Sequence, residues 1–213
     1  MGREKRGNTL FSGARLTHPR VRALTRRYNI LATTERINES RAGSELWMLL
    51  RAVGDEAPIV DRMGIWGIIV AMTPLEPAAA VSKMREEFLK KPDSVQALFR
   101  VIPIQRLVPT TLEEIVKTAK RLSTTIGAEE SYRITVEKRR TRLGSHEIID
   151  AVADVIDRKV NLDNPDWVVL VETAGRMTGV SVVHPSEILN VQKERVHLST
   201  EAKKRATLNY KLT

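Results

Sequence analysis

Hydrophobic and polar residues follow two periods along the first half of this chain, one typical of strands and one typical of helices. Alternating or continuous apolar runs predict strands at 27–34, 59–72 and 94–102. Spacings of three and four residues predict helices over 39–54 and 76–91. Gly64 and Gly67 indicate a hairpin or a bulge inside the second strand segment. The predicted order is β-α-β-α-β.

The second half of the chain repeats this pattern. Thr111 and Glu114 have the spacing of a capping box, and they begin an apolar helical stripe that ends near Gly127. A strand follows at 131–138, and Ser145 is predicted to cap the next helix. Further strands are predicted at 167–174 and 179–183. Alternating short strands and helices favour an α/β or α+β fold.

Composition narrows the class of protein. The chain has 213 residues, of which 42% are hydrophobic and 29% charged, so a packed core is expected. No apolar run approaches the roughly 18 residues of a membrane span, and no apolar signal core follows the N-terminus. The absence of cysteine excludes disulfides, thiolate metal sites and a cysteine nucleophile. We therefore expect a cytoplasmic protein that is not attached to a membrane.

Positive charge is concentrated in particular segments of the chain. The formal net charge is +9, but the excess lies at the two ends, while residues 28–189 are slightly acidic. Against that background, the segment "EKRRTRLGSHEIIDAV" at 137–152 is unusually basic. A run of cations is often only a solvated loop. Here it precedes a predicted helix start, and cations beside such an end can grip phosphates. We predict that RNA-binding residues include Lys138, Arg139, Arg140, Arg142 and Ser145, and secondarily Arg133, Arg100 and Arg106.

Common catalytic and cofactor motifs are missing. The sequence has neither a GxGxxG nor a GxxxxGK[ST] phosphate loop, and no GxSxG nucleophile elbow. Its histidines are scattered without metal-ligand spacing: His18, His146, His184 and His197. Trp66 and Trp167 lie in apolar segments, which favours core or interface packing over base stacking. No catalytic residue, cofactor or metal ligand is predicted.

An ordered series of short motifs resembles the THUMP domain over roughly residues 96–190. An R-x-x-P segment at Arg100 is followed by a helix, a strand ending in Lys138–Arg140, and a Ser-x-Glu helix start at Ser145. The segments "VNLDNPD" and "VLVE" come next, in the order typical of that family. The Gly-rich "TAGRMTGV" departs from the pattern and affects the expected geometry of the last hairpin.

The resemblance implies an organisation and a partner. THUMP domains bind tRNA, usually near its acceptor end, beside an N-terminal ferredoxin-like domain. We therefore expect an α+β protein with four segments: a flexible basic arm at 1–24, a ferredoxin-like domain at 25–95, a THUMP domain at 96–190 and a basic C-terminal tail at 191–213.

The expected function rests on the resemblance to THUMP proteins and on the absence of common catalytic motifs. Most THUMP proteins carry a catalytic domain, and the chain resembles the stand-alone members that assist a separate acetyltransferase in making N4-acetylcytidine in tRNA. The expected function is a tRNA-binding adaptor that is not itself an enzyme. Two alternatives stay open: an RNA-binding protein without a modification role, and a small RNA-modifying enzyme with an unrecognised site. The sequence gives no indication of the oligomeric state.

Overall fold

A computed structural model describes residues 27–211 and, within them, the side chains of residues 27–201. The predicted basic arm at 1–24 lies outside the described residues. The five helices are α1 (Glu39–Ala52), α2 (Pro77–Lys90), α3 (Leu112–Leu122), α4 (Ser145–Ala153) and α5 (Val191–Lys211). The ten strands are β1 (Ile30–Thr34), β2 (Ile59–Arg62), β3 (Ile68–Met72), β4 (Leu98–Pro103), β5 (Arg106–Pro109), β6 (Ser131–Arg139), β7 (Lys159–Val160), β8 (Trp167–Ala174), β9 (Met177–Val183) and β10 (Leu189–Asn190).

The first sheet is antiparallel, with strand order β10-β4-β1-β3-β2. Its first four strands alternate with α1 and α2 in the β-α-β-β-α-β order of a ferredoxin-like unit. The helices cover one face because alternate strand residues point toward them, among them Ile30, Ile69 and Val101. The expected α+β class with a ferredoxin-like first subdomain is confirmed.

The second sheet has strand order β5-β9-β8-β6-β7. Strand β6 runs parallel to β7 and β8, whereas β9 runs antiparallel to β5 and β8. Helices α3 and α4 pack on one face, where Ile115 and Ile148 meet Val169 and Val171. Thr111 is the N-cap of α3, since its hydroxyl accepts the Glu114 N–H at 3.4 Å, but the Thr111 N–H donates to the Pro109 carbonyl at 2.8 Å, so the predicted capping box is only half formed.

The two sheets pack face to face through their remaining faces. Leu31, Val70 and Ile102 of the first sheet share one buried cluster with Val168 and Leu170 of the second. The order of layers is therefore helices, first sheet, second sheet, helices. Arg100 of β4 and Glu137 of β6 form an ion pair at 3.4 Å between the sheets, next to the predicted site.

Several segments differ from their sequence-based description. Strand β4 lies after the predicted domain boundary at 95/96 but pairs with β1, so the change of sheet comes between Pro103 and Arg106. Strand β5, where no strand was predicted, forms because it pairs with β9 and completes the edge of the second sheet. The weakly periodic tail from residue 191 is helix α5. Among residues 27–211, no helix is long and apolar enough to cross a bilayer.

Candidate nucleic-acid interface

The end of β6 sends neighbouring cations to opposite sides of the second sheet. Side chains alternate along a strand, so Lys138 and Arg139 cannot share a face. Lys138 is exposed, and its Nζ donates to the carbonyl oxygen of Leu143 at 2.9 Å. Arg139 points into the interface between the sheets and is only 19% exposed in its side chain. The predicted cluster is therefore divided into an outward and an inward part.

A tight turn after β6 presents the outward cations. Arg140 has a positive φ of 54°, the left-handed conformation that non-glycine residues rarely adopt. The Gly175 N–H donates to the Arg139 carbonyl at 2.8 Å, which ties this turn to the β8–β9 hairpin. Arg140 and Arg142 are exposed, and neither makes an ion pair within the described part of the chain. Their charges are free to meet phosphate.

A buried carboxylate holds the inward part. Glu172 on β8 is 0% exposed, and Arg139 Nη1 donates to its Oε2 at 2.8 Å. Arg100 of β4 reaches across from the first sheet, with Nη1 3.4 Å from Glu137 Oε1 and 4.0 Å from Glu172 Oε1. Burial raises the pKa of Glu172, and the charge of Arg139 opposes that rise. The side chains of Arg139 and Arg100 therefore make ion pairs between the two sheets.

Tyr28 is buried near Glu172 and Arg139. Its hydroxyl has no hydrogen-bond partner among the described residues, and neither has Glu172 Oε1. Burial, followed by the nearby charge of Glu172, raises the pKa of Tyr28 well above its ordinary value. Sequence reasoning assigned no role to Glu172. The signal that could have found it is a carboxylate in the otherwise apolar run "WVVLVETA".

Ser145 does not cap α4, contrary to the sequence prediction. The N-cap is Gly144, and Ser145 is the first helical residue. The carboxylate of Glu147 accepts the Gly144 N–H at 2.9 Å and so fixes the start of the helix. Glu147 therefore supplies the side chain that orders this helix start, although Ser145 remains next to the turn that carries Arg142.

The other two predicted cations lie away from the turn. Arg133 is six residues before Arg139 on the same strand, about 20 Å away at the rise of a strand. Its Nη1 donates to the Leu162 carbonyl at 3.3 Å. Arg106 begins β5, three strands away from β6, and its Nη1 bonds the neighbouring Gln105 carbonyl at 2.7 Å. The structure brings together the residues at 138–145 and adds Arg100 through Glu172, but it does not add Arg133 or Arg106.

The two tryptophans singled out in the sequence have different surroundings. Trp167 packs as predicted, with its ring centroid 3.7 Å from that of His184 and its Nε1 donating to Glu130 at 2.7 Å. Trp66 does not pack in a core, because it lies in the β2–β3 turn and is 61% exposed. The guanidinium of Arg36 lies 3.3 Å from the centroid of its ring. The flanking Gly64 and Gly67 were the sequence signal for this turn.

The comparison with protein families matches the THUMP domain to residues 109–183. The match begins at the end of β5 and extends through β9, so it contains both α3 and α4 and the turn after β6. The chain contains a THUMP domain. The resemblance seen in the sequence is confirmed at this level.

Solved structures extend the likeness beyond the THUMP domain. PH1313 from Pyrococcus horikoshii Ot3 covers 74% of this chain at 19% identity, with a TM-score of 0.51 and 55% of its own length matched. A predicted N6-adenine-specific DNA methylase from Listeria monocytogenes covers 73% at 11% identity, with a TM-score of 0.46 and 40% of its length matched. A 4-thiouridine synthetase in complex with RNA and ATP covers 74% at 16% identity, with a TM-score of 0.45 and 42% of its length matched.

The chain corresponds to only a part of each of these structures. It spans about half, or less, of the length of the structures that it matches. No curated protein matches the sequence. Among the described residues, no group of three or more His, Asp or Glu side chains could hold a metal ion.

One expectation from the sequence is wrong. The chain was expected not to be an enzyme, but the similar structures include a protein named as a methylase and one named as a 4-thiouridine synthetase.

Proposed function

We propose that this protein binds tRNA through the THUMP domain and serves the modification of that tRNA. The observation that carries the proposal is the exposure of three cations inside the matched THUMP segment: Lys138 near the end of β6, and Arg140 and Arg142 in the turn that follows. Arginine and lysine side chains hold the phosphate backbone, which dominates the affinity of nucleic-acid complexes. A-form RNA hides its base edges from side chains in the deep groove, so recognition by shape and backbone is expected.

The test compares two double alanine variants, each of which removes two positive charges. The double variant R140A/R142A removes two exposed cations from the turn, and K83A/K91A removes two exposed lysines on or beside α2, on the far side of the first sheet. Each lost phosphate contact flattens the dependence of log K on log salt by roughly 0.7–0.9. We expect weaker tRNA binding and a flatter slope for R140A/R142A alone. Equal behaviour of the two variants would contradict the proposal.

A finer hypothesis names the acceptor end of tRNA as the bound region and N4-acetylation of cytidine as the modification, with a separate tRNA cytidine acetyltransferase as partner. It is supported by the ordered motif series at 100–172, which resembles the THUMP domain, and by the resemblance of the chain to the stand-alone THUMP proteins that assist such an acetyltransferase. Holding tRNA and enzyme on one protein would raise their effective concentration.

Mass spectrometry of tRNA nucleosides tests the finer hypothesis. A strain that lacks the gene should lose N4-acetylcytidine, and the wild-type gene should restore it. Loss of a different modified nucleoside would assign the protein to another modification. In a reconstituted reaction with acetyl-coenzyme A and ATP, leaving out each protein in turn would show which of them the chemistry requires.

A further inference from the structure

The β2–β3 turn carries an exposed tryptophan, and several contacts hold the backbone of this turn in place. Gly64 and Gly67 adopt positive φ angles of 77° and 73°, which the turn requires. The Thr34 N–H donates to the Gly67 carbonyl at 3.0 Å, and the Ile68 N–H donates to that of Ile65 at 3.1 Å. The side chain of Ile65 packs against the apolar cluster between the sheets. Trp66, the next residue, is 61% exposed.

One face of this indole is occupied and the other is open. The Arg36 guanidinium lies 3.3 Å from the ring centroid, within the range of a cation–π contact. Because Trp66 is still largely exposed, the opposite face must be accessible to solvent. Arg36 makes no ion pair within the described residues, so its charge is not neutralised by a protein carboxylate. The pair therefore offers a flat apolar face next to an available positive charge.

Strand pairing relates the position of the Trp66–Arg36 pair to the turn after β6 that carries Arg140 and Arg142, which is called the cation turn below. Ile68, directly after the turn, lies opposite Thr33 of β1, and Thr33 lies opposite Arg100 of β4. Two strand spacings, about 10 Å, therefore separate the start of β3 from the Arg100 backbone. Arg100 in turn lies 4.0 Å from Glu172, which holds Arg139. The tryptophan and the cation turn thus lie at the same end of the interface between the sheets.

We propose that Trp66 and Arg36 form a binding site for one unpaired nucleotide of the tRNA, with the base stacked on the open face of the indole. This inference rests on the proposed function. Stacking of bases on aromatic side chains is how single-stranded nucleic acid is held without sequence preference, because every base has a π face. Arg36 keeps the ring in place and supplies a cation for the adjoining phosphate.

The chain offers a matched control in Trp47. It is 45% exposed, and Arg51 also lies over its ring, at 5.7 Å from the centroid. Trp47 lies on α1, beside an open groove of about 430 Å³ on the helix-covered side of the first sheet, which is turned away from the THUMP domain. W47A therefore removes an equivalent exposed indole at a place where the proposal expects no RNA.

The experiment measures the affinity of the full-length wild type, W66A, W66F and W47A for tRNA and for a blunt RNA duplex without unpaired nucleotides. Thermal unfolding first establishes that each variant is folded. We expect W66A to bind tRNA at least about fivefold more weakly and the duplex as the wild type does. W66F should be intermediate, and W47A unchanged. The salt slope of W66A should equal that of the wild type, because stacking releases no counterions.

Three results would overturn the inference: unchanged tRNA affinity of W66A, an equal loss for tRNA and duplex, and an equal loss in W47A. The first would leave Trp66 as a contact for another protein. Failure of the inference is separable from failure of the proposed function. If R140A/R142A weakens tRNA binding while W66A does not, the nucleotide site alone is wrong. If the wild type does not bind tRNA, both are wrong.

Discussion

Arg139 donates to Glu172 at 2.8 Å inside the interface between the two sheets. The most strongly basic segment of the sequence therefore supplies one side chain to the protein interior and the neighbouring ones to solvent. Removing one partner of a buried ion pair leaves an uncompensated charge, which costs more than the pair contributes. The contact between the sheets consequently depends on a residue that sequence inspection assigns to RNA binding.

The first prediction contrasts the stability of R139A with that of R140A. R139A leaves the Glu172 carboxylate buried with only Arg100 nearby, and we expect a loss of about 3 kcal/mol in the free energy of unfolding. Arg140 is exposed and has no ion-pair partner within the described residues, so R140A should change it by less than about 0.5 kcal/mol. Urea unfolding of both variants measures this difference. Similar losses would show that the Arg139–Glu172 contact does not stabilise the fold.

The second prediction concerns pH. Burial raises the pKa of Glu172, so the folded state keeps this proton at pH values where the unfolded state has lost it. The contribution of Glu172 to stability should therefore decline as pH rises from the ordinary carboxyl pKa toward the raised one. The free energy of unfolding of the wild type minus that of E172Q should therefore decrease as the pH rises above the ordinary carboxyl pKa of about 4. A difference between wild type and E172Q that stays constant over this range would mean that Glu172 titrates alike in the folded and unfolded states.

The third prediction separates two glycines of the β2–β3 turn. Both have positive φ, so alanine at either should cost about 1 kcal/mol. A Cβ at position 67 would lie 2.5 Å from the Thr34 carbonyl oxygen, whereas nothing lies within 4 Å of a Cβ at position 64. G67A should therefore cost roughly 1–3 kcal/mol more than G64A. Chemical unfolding of the two variants decides this, and equal costs would argue against the close approach of the turn to β1.

The fourth prediction tests the start of α4. E147A removes the bond to the Gly144 N–H and should destabilise the protein by about 1 kcal/mol. S145A removes no cap, since Ser145 is already helical, and should be close to neutral. If S145A proved the more destabilising of the two, the sequence-based assignment of Ser145 as the cap would be restored. Amide exchange at the first turn of α4 would locate the effect.

Local sequence patterns predicted helix starts, strands and turns correctly where the residue types pointed to one structure. The Thr111 cap, the strand of β6 and the turn at Gly64–Gly67 follow from residue types and spacing alone. Strand β10 has only two residues, Leu189–Asn190, and forms because β4 offers it an edge, which no local pattern contains. The formation of β10 therefore depends on pairing between distant segments, which the periodicity of the sequence does not reveal.

The candidate site shows the same limit. The density of cations at 138–142 was visible in the sequence, and the strand period implies that Lys138 and Arg139 face opposite ways. Which of the two points inward depends on Glu172, which lies 33 residues from Arg139 along the chain. The exposure of Trp66 likewise depends on Ile65 taking the buried position at the turn.

Strand β10 has a consequence for motion between the two sheets. The chain leaves the first sheet after β4, builds the second sheet and returns to pair with β4 again at Leu189–Asn190. The THUMP domain is thus inserted into the first domain and joined to it by two covalent connections instead of one. A single linker permits swivelling about itself, whereas two connections permit rotation only about the axis through both. RNA that contacts both domains would therefore meet a platform with little freedom to twist, and less conformational entropy would be lost on binding.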